Sequence, residues 1–162
     1  MPRPKKITIK NYKVPLRYVP TTLSNKDIFL QKKYIDRSRK AYRKGNYFLR
    51  PKVKSFHSRH SSHVARATRK YGVKNMLPTN QLVRATKCKK WALEKIINKG
   101  RGAYYSSGSR PNQTPDSWGY ARLASALTGG PASKIDYHIL EKGCANRSEP
   151  LRLAKRTMRL YK

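Results

Sequence analysis

The run Thr114–Gly130, TPDSWGYARLASALTGG, decides the fold class. Threonine at the N-cap with proline at the first helical position opens a helix, and the Gly129–Gly130 pair closes it. Between these signals Trp118, Tyr120, Ala121, Leu123, Ala124 and Leu127 leave almost no polar face, which predicts a helix at the buried centre of a helical domain. Working outward, Leu82, Ala85, Cys88, Ala92, Leu93 and Ile96 recur at helical spacing from Asn80 to Asn98, with Gly100 as the expected stop. Beyond the central run, SKIDYHILEKG from Ser133 to Gly143 reads as a further helix. Another follows Ser148, with Leu151, Ala154, Met158 and Tyr161 on one stripe. The expectation is a mainly α protein with an all-α core domain over residues 79–162.

Residues 1–78 read differently, as a basic arm that is extended and partly helical. ITIKNYKVPLRY, 7–18, alternates with Tyr12, Val14, Leu16 and Tyr18 on one side, while Pro15 and Pro20 argue against a central strand. Such a segment is suited to adding to the sheet edge of a neighbour. Ser24 caps a helical pattern of Ile28, Tyr34, Ile35, Ser38, Ala41 and Tyr42 that ends at Gly45. GNYFLRPKVKSFHSRHSSH, 45–63, has no helical period and reads as a second extended stretch. Ser62 then caps a short basic helix that stops at Gly72.

The sequence carries 39 Lys and Arg against 7 Asp and Glu, a formal net charge of +32. Such a surplus opposes compaction unless polyanions or acidic partner surfaces neutralise it, so assembly with nucleic acid, an anionic membrane face or acidic proteins is expected. The excess is steeper toward the N-terminus: 22 cations and 2 acids up to residue 78, 17 and 5 after it. The residues expected to meet acidic side chains or phosphates are Arg50, Lys52, Lys54, Arg66, Arg69, Lys70, Arg101, Arg110 and Arg122. No apolar run approaches the roughly 18 residues of a membrane span, and the first residues lack the apolar core of a signal peptide, so neither is expected. Cys88 and Cys144 are the only cysteines. Two cannot complete a structural zinc site, and the expectation is a reducing compartment with both as small packed side chains rather than a disulfide.

The stretch GRGAYYSSGSRPNQTPDSW, 100–118, breaks the basic pattern. It reads as a packed structural loop joining two helices, in which Gly102 and Gly108 supply backbone freedom, Tyr104 and Tyr105 pack, Thr114 caps, and a fully buried Trp118 anchors the whole. The competing reading is an anion pocket facing Arg101 or Arg110, although the glycine spacing fits neither a Walker A loop nor a dinucleotide fingerprint. His57, His60 and His63 recur every third residue but have no carboxylate or cysteine beside them, so exposed polar histidines are expected rather than a metal site. Ser106, Ser107 or Ser109 with His138 and Asp116, Asp136 or Glu141 supplies the residue types of a hydrolytic triad without any spacing that argues for one. No enzymatic activity, cofactor or small-molecule substrate is expected.

The strings GAYYSSGSRPNQTPDSWGYARLASALTGG, 102–130, and DRSRKAYRKGNYFLRPKVKSFHSRHSSH, 36–63, resemble an uncharacterised domain family of large double-stranded DNA viruses, including chlorella-infecting and mimivirus-like ones. The resemblance runs from about Tyr18 to the C-terminus and carries no catalytic site. It implies a virion component: a minor capsid protein on the inner face of an icosahedral shell. The partners would be the major capsid protein and other minor capsid proteins, with viral DNA or an inner membrane surface as further ones. The alternative is a nucleic-acid-binding virion protein that packages the genome or acts in transcription, through a divergent helix-turn-helix whose sixteen-residue connection exceeds the usual three or four. A ribosomal protein is the third reading of the composition.

Overall fold

The computed structural model describes residues 3–161 and is mainly α, with eight α-helices and one two-stranded sheet among those residues. Two compact units divide it: Met1–Arg59 with Arg101–Pro115, and His60–Gly100 with Asp116–Lys162. The boundary expected after residue 78 therefore falls elsewhere. Residues 60–78 fold with the helical core, and residues 101–115 complete the N-terminal unit.

In that first unit Lys6–Ile9 (β1) and Tyr12–Pro15 (β2) pair antiparallel, with Ile7 opposite Val14 and Thr8 opposite Lys13. Lys10 adopts a positive φ of 51° in the two-residue turn, the geometry that matches the twist of a tight hairpin. The segment expected as an arm for a neighbour's sheet thus satisfies its ladder within itself and buries Ile9 and Val14. Asn25–Arg43 (α1) begins where Ser24 predicts, its Oγ accepting from the Asp27 amide at 3.2 Å. It turns Gln31, Ile35 and Ser38 inward.

The second unit holds seven helical stretches: Ser62–Tyr71 (α2), Asn80–Thr86 (α3), Lys90–Ser106 (α4) over its 90–100 portion, Pro115–Leu127 (α5), Pro131–Ile135 (α6), Tyr137–Gly143 (α7) and Glu149–Leu160 (α8). Their core contains Leu82, Leu93, Ile96, Leu123, Leu127, Ile139, Leu140 and Leu151. The single helix expected over Asn80–Asn98 is broken at Lys87, whose φ is 54°. There the Lys89 amide donates to Gly143 O at 2.7 Å and the Ala145 amide to Lys87 O at 2.9 Å. This short antiparallel bridge sets Cys88 opposite Cys144, and the two form a disulfide across 56 residues, contrary to the expected free thiols. Compartment arguments from composition could not anticipate a backbone pairing between distant turns. The helix expected from Ser133 to Gly143 is likewise interrupted at Asp136.

Gly100 does not end a helix. α4 runs through it to Ser106, and the glycine is a contact: a Cβ there would lie 2.6 Å from Gly119 Cα, and one on Gly119 would lie 2.7 Å from Ile97 O. The missing side chains let the backbones of α4 and α5 touch, a close approach open only to glycine. Gly102, Tyr104 and Tyr105, expected in a loop, are helical for the same reason, and the true loop begins at Ser107.

These two glycines of one helix therefore have opposite expected responses. Gly100→Ala should lose about 1–3 kcal/mol by overpacking against Gly119. Gly102→Ala, whose nearest neighbour is the Tyr42 hydroxyl at 3.8 Å, should gain up to about 1 kcal/mol of helix propensity. Urea denaturation of both variants checks the pair.

Candidate functional site

Arg50 lies on the irregular stretch after α1, next to Pro51, and is only 9% exposed, so it is not the surface contact its composition suggested. Its backbone amide donates to the Tyr104 hydroxyl at 3.0 Å. Its Nη1 donates to Tyr104 O at 2.6 Å and Ser38 Oγ at 2.9 Å, and its Nη2 to Ser109 Oγ at 2.6 Å. The guanidinium carbon sits 3.7 Å from the Tyr104 ring centre. Ser38 and Ser109 pass the hydrogen bonding on, donating to Tyr105 O and Arg110 O. Burial pushes the Arg50 pKa down from the ordinary arginine value, and the neighbouring tyrosines offset part of that.

Three further clamps hold the same stretch. Asn112, at φ 61°, accepts from the Val53 amide and donates to Val53 O and Phe56 O. Asp27 accepts from the Ser55 amide at 2.7 Å and from its hydroxyl, and these bonds hold its carboxyl below the usual range. The Ser55 Oγ accepts from the Ser24 amide at 3.0 Å. Gly108, at φ +115°, lets the Tyr18 ring approach to 3.1 Å of where a Cβ would stand.

This scaffold carries a ladder of tyrosines from core to surface. Tyr104, 1% exposed, meets Tyr105 edge-on at 5.1 Å. Tyr105 stacks on Tyr42 at 6.3 Å with planes 3° apart and lies 5.0 Å from Tyr47. Tyr47 is 70% exposed and Leu49 62%. Arg43, Lys44, Lys52 and Lys54 flank them in the sequence and are exposed. A rigid, exposed aromatic cluster with cations around it is the composition of a macromolecular contact surface.

In the second unit Asp136 is fully buried and binds Arg122 at 2.7 and 2.9 Å and Lys99 at 2.9 Å. Burial raises its carboxyl pKa, but the bonds from Arg122 and Lys99 outweigh that and hold it below the usual range. Arg122, expected on a partner's carboxylate, is thus spent on the chain's own acid. Lys70 pairs with Glu149 at 2.9 Å, and the Arg152 fork, first, with Lys70 brings the Glu149 pKa down to about 2. Lys52, Lys54, Arg66, Arg69 and Arg110 are exposed as expected, and Arg101 is half-buried. Trp118 is only half-buried and outside the core cluster, and Thr114 is exposed; Tyr104 takes the anchoring place assigned to Trp118. His57, His60 and His138 are exposed. Among the described residues no group of three His, Cys, Asp or Glu is placed to hold a metal. Two of the residues named for a hydrolytic triad have structural roles: Ser109 serves Arg50, and Asp136 serves Arg122 and Lys99.

Residues 15–138 match the model of DUF5824, a family of unknown function. The chain belongs to that family. No curated protein and no solved structure matches it. The matched span of the DUF5824 chain includes the Arg50 clasp, the tyrosine ladder and Asp136, whereas α8 lies beyond it.

Sequence reasoning missed Arg50, Asn112 and Ser38 as structural groups. Ser38 alone carried a signal, three residues after Ile35 on the inward face of α1.

Arg50→Lys, which cannot form the fork, should destabilise the protein by about 3 kcal/mol, because the acceptors on Tyr104 and Ser109 lose their donors and the ring loses its guanidinium. Lys52→Ala and Lys54→Ala should stay within about 0.5 kcal/mol, as measured by thermal melting. Asp136 makes a pH prediction. Its folded pKa is depressed, so its contribution is complete above the unfolded value of about 3.9 and disappears as pH falls through the folded value. Asp136→Asn should cost about 3 kcal/mol at pH 7 and leave a shallower acid limb in urea midpoints taken from pH 6 to pH 2.

Proposed function

We propose that this chain is a structural docking protein, a minor capsid protein lining the inner face of a large icosahedral double-stranded DNA virus. The observation that carries the reading is the exposed Tyr42–Tyr47–Tyr105 cluster with Leu49, flanked by Arg43, Lys44, Lys52 and Lys54 and held on a clamped backbone. Protein interfaces concentrate their energy in tyrosine and arginine anchors that are rigid before binding, because little side-chain freedom then remains to be lost. The surrounding cations fit an acidic underside of the major capsid protein or of another minor capsid protein. The charge balance supports the same direction: seven acids cannot neutralise 39 cations, and Asp36, Asp136 and Glu149 each hold two of them internally, leaving the outside cationic. The resemblance of residues 36–63 and 102–130 to proteins of large DNA viruses supports a shell as the setting. Here the contact surface is a folded hairpin-and-helix unit rather than a free arm.

Purified virions fractionated into shell and DNA core test this reading by mass spectrometry. The chain should travel with the shell, and Tyr47→Ala with Leu49→Ala should abolish its incorporation while leaving the melting temperature within about 2 °C of the parent, since both side chains are exposed. Recovery in the DNA core with release by nuclease would contradict it.

A further inference from the structure

α8 presents two faces of different chemistry. Its inner face, Leu151, Ala154 and Thr157, is buried, and the Thr157 hydroxyl donates to Gly129 O at 2.8 Å. Its outer face carries Arg152, Lys155, Arg156 and Arg159 at the i, i+3, i+4, i+7 positions of one side, all exposed, bordering a shallow hollow of about 440 Å³ closed by Leu160. Glu149 grips Arg152 through both carboxylate oxygens, at 2.8 and 2.6 Å, and fixes the first guanidinium of the row. Among the described residues no carboxylate pairs with Lys155, Arg156 or Arg159.

Three classes of anionic partner exist for such a row, and the fold separates them. An anionic membrane would need the apolar face of the helix, which the core already occupies. An acidic protein would need an apolar or aromatic centre, since interface cores exclude clustered charge, and here the centre of the row is itself Lys155 and Arg156. A duplex needs neither. It presents about one negative charge per 1.7 Å of axis, and the row rises about 10 Å from Arg152 to Arg159, so several phosphates face it at once. Three of the four side chains are arginines, whose planar forks match phosphate oxygens bidentately.

We propose that the outer face of α8 is a sequence-independent contact surface for the phosphate backbone of double-stranded nucleic acid, with Lys155, Arg156 and Arg159 as its unpaired contacts and Arg152 as its fixed edge. The surface lies outside the tyrosine cluster and does not rest on the shell reading: a shell component that also touches the packaged genome needs both.

The test is fluorescence anisotropy of the whole chain with a 24-base-pair DNA duplex of arbitrary sequence, about 50 to 200 mM salt, fitted as log affinity against log salt. Lys155→Ala, Arg156→Ala and Arg159→Ala together should lower the slope by about 2.7 and the affinity by at least about tenfold. The same number of exposed cations removed elsewhere, Lys13→Ala, Lys33→Ala and Lys74→Ala, should change the slope by less than about 0.5. The milder pair Arg156→Gln and Arg159→Gln should lose about 1.8, which keeps the test valid should the triple variant lose helicity by circular dichroism. Equal losses from both triples would overturn the proposal, because binding would then follow net charge alone. No loss from the α8 variants would overturn it too. So would preferential, α8-dependent binding to phosphatidylserine vesicles, or displacement of the duplex by polyglutamate at matched charge.

Discussion

A buried arginine without a carboxylate partner holds the first unit together. Taking a cation out of water is costly, and Arg50 offsets that cost with neutral groups only: a carbonyl, two hydroxyls and the face of the Tyr104 ring. Each acceptor comes from a different stretch, Ser38 from α1, Tyr104 from the end of α4, and Ser109 from the loop beyond. One side chain thus fixes segments far apart in sequence. The fork geometry is essential, because an ammonium could not reach these acceptors while lying flat on a ring. With Arg50 in place, a backbone that has no regular secondary structure from 46 to 53 is tied to α1, to the end of α4 and to the loop beyond. That constraint is what presents Tyr47 and Leu49 outward.

The second unit solves a related problem with a different device. Its one fully buried carboxylate, Asp136, sits where α6 ends and α7 begins, and Arg122 from α5 and Lys99 from α4 close on it. The Gly100–Gly119 contact brings those two helices to backbone distance. Acids in both units are drawn into clasps of this kind, Asp36 with Lys10 and Lys40 in the first and Glu149 with Lys70 and Arg152 in the second. The protein is folded and strongly cationic at once, and four of its seven carboxylates, Asp27, Asp36, Asp136 and Glu149, act as fasteners between segments, while Glu94, Asp116 and Glu141 stay exposed.

Local signals in the sequence were legible where a single residue does a local job. Ser24, Thr114–Pro115 and Ser148 all stand where helices begin, and Gly72 takes the left-handed conformation that ends α2. What was not legible depends on residues distant in sequence. A glycine that admits a neighbouring helix looks like one that stops its own, which is why Gly100 misled and Tyr104 was placed in a loop. Arg50 alternates with Lys52 and Lys54 in an extended run, and only the tertiary fold distinguishes the inward cation from the outward ones. Lys87 in a left-handed conformation carries no signal at all, so α3 and α4 read as one helix. The disulfide follows from that break. Most of the proposed docking surface could be guessed as basic and aromatic, but the bonds that Asn112 and Asp27 make to its backbone from elsewhere could not.

Amide hydrogen exchange across residues 46–56 tests the central claim most directly. The Arg50, Val53 and Ser55 amides donate to Tyr104, Asn112 and Asp27, so in the isolated protein they should exchange as slowly as the interior amides of α1. Exchange at the rate of an unstructured loop, with α1 itself protected, would contradict the account and leave the stretch a free arm.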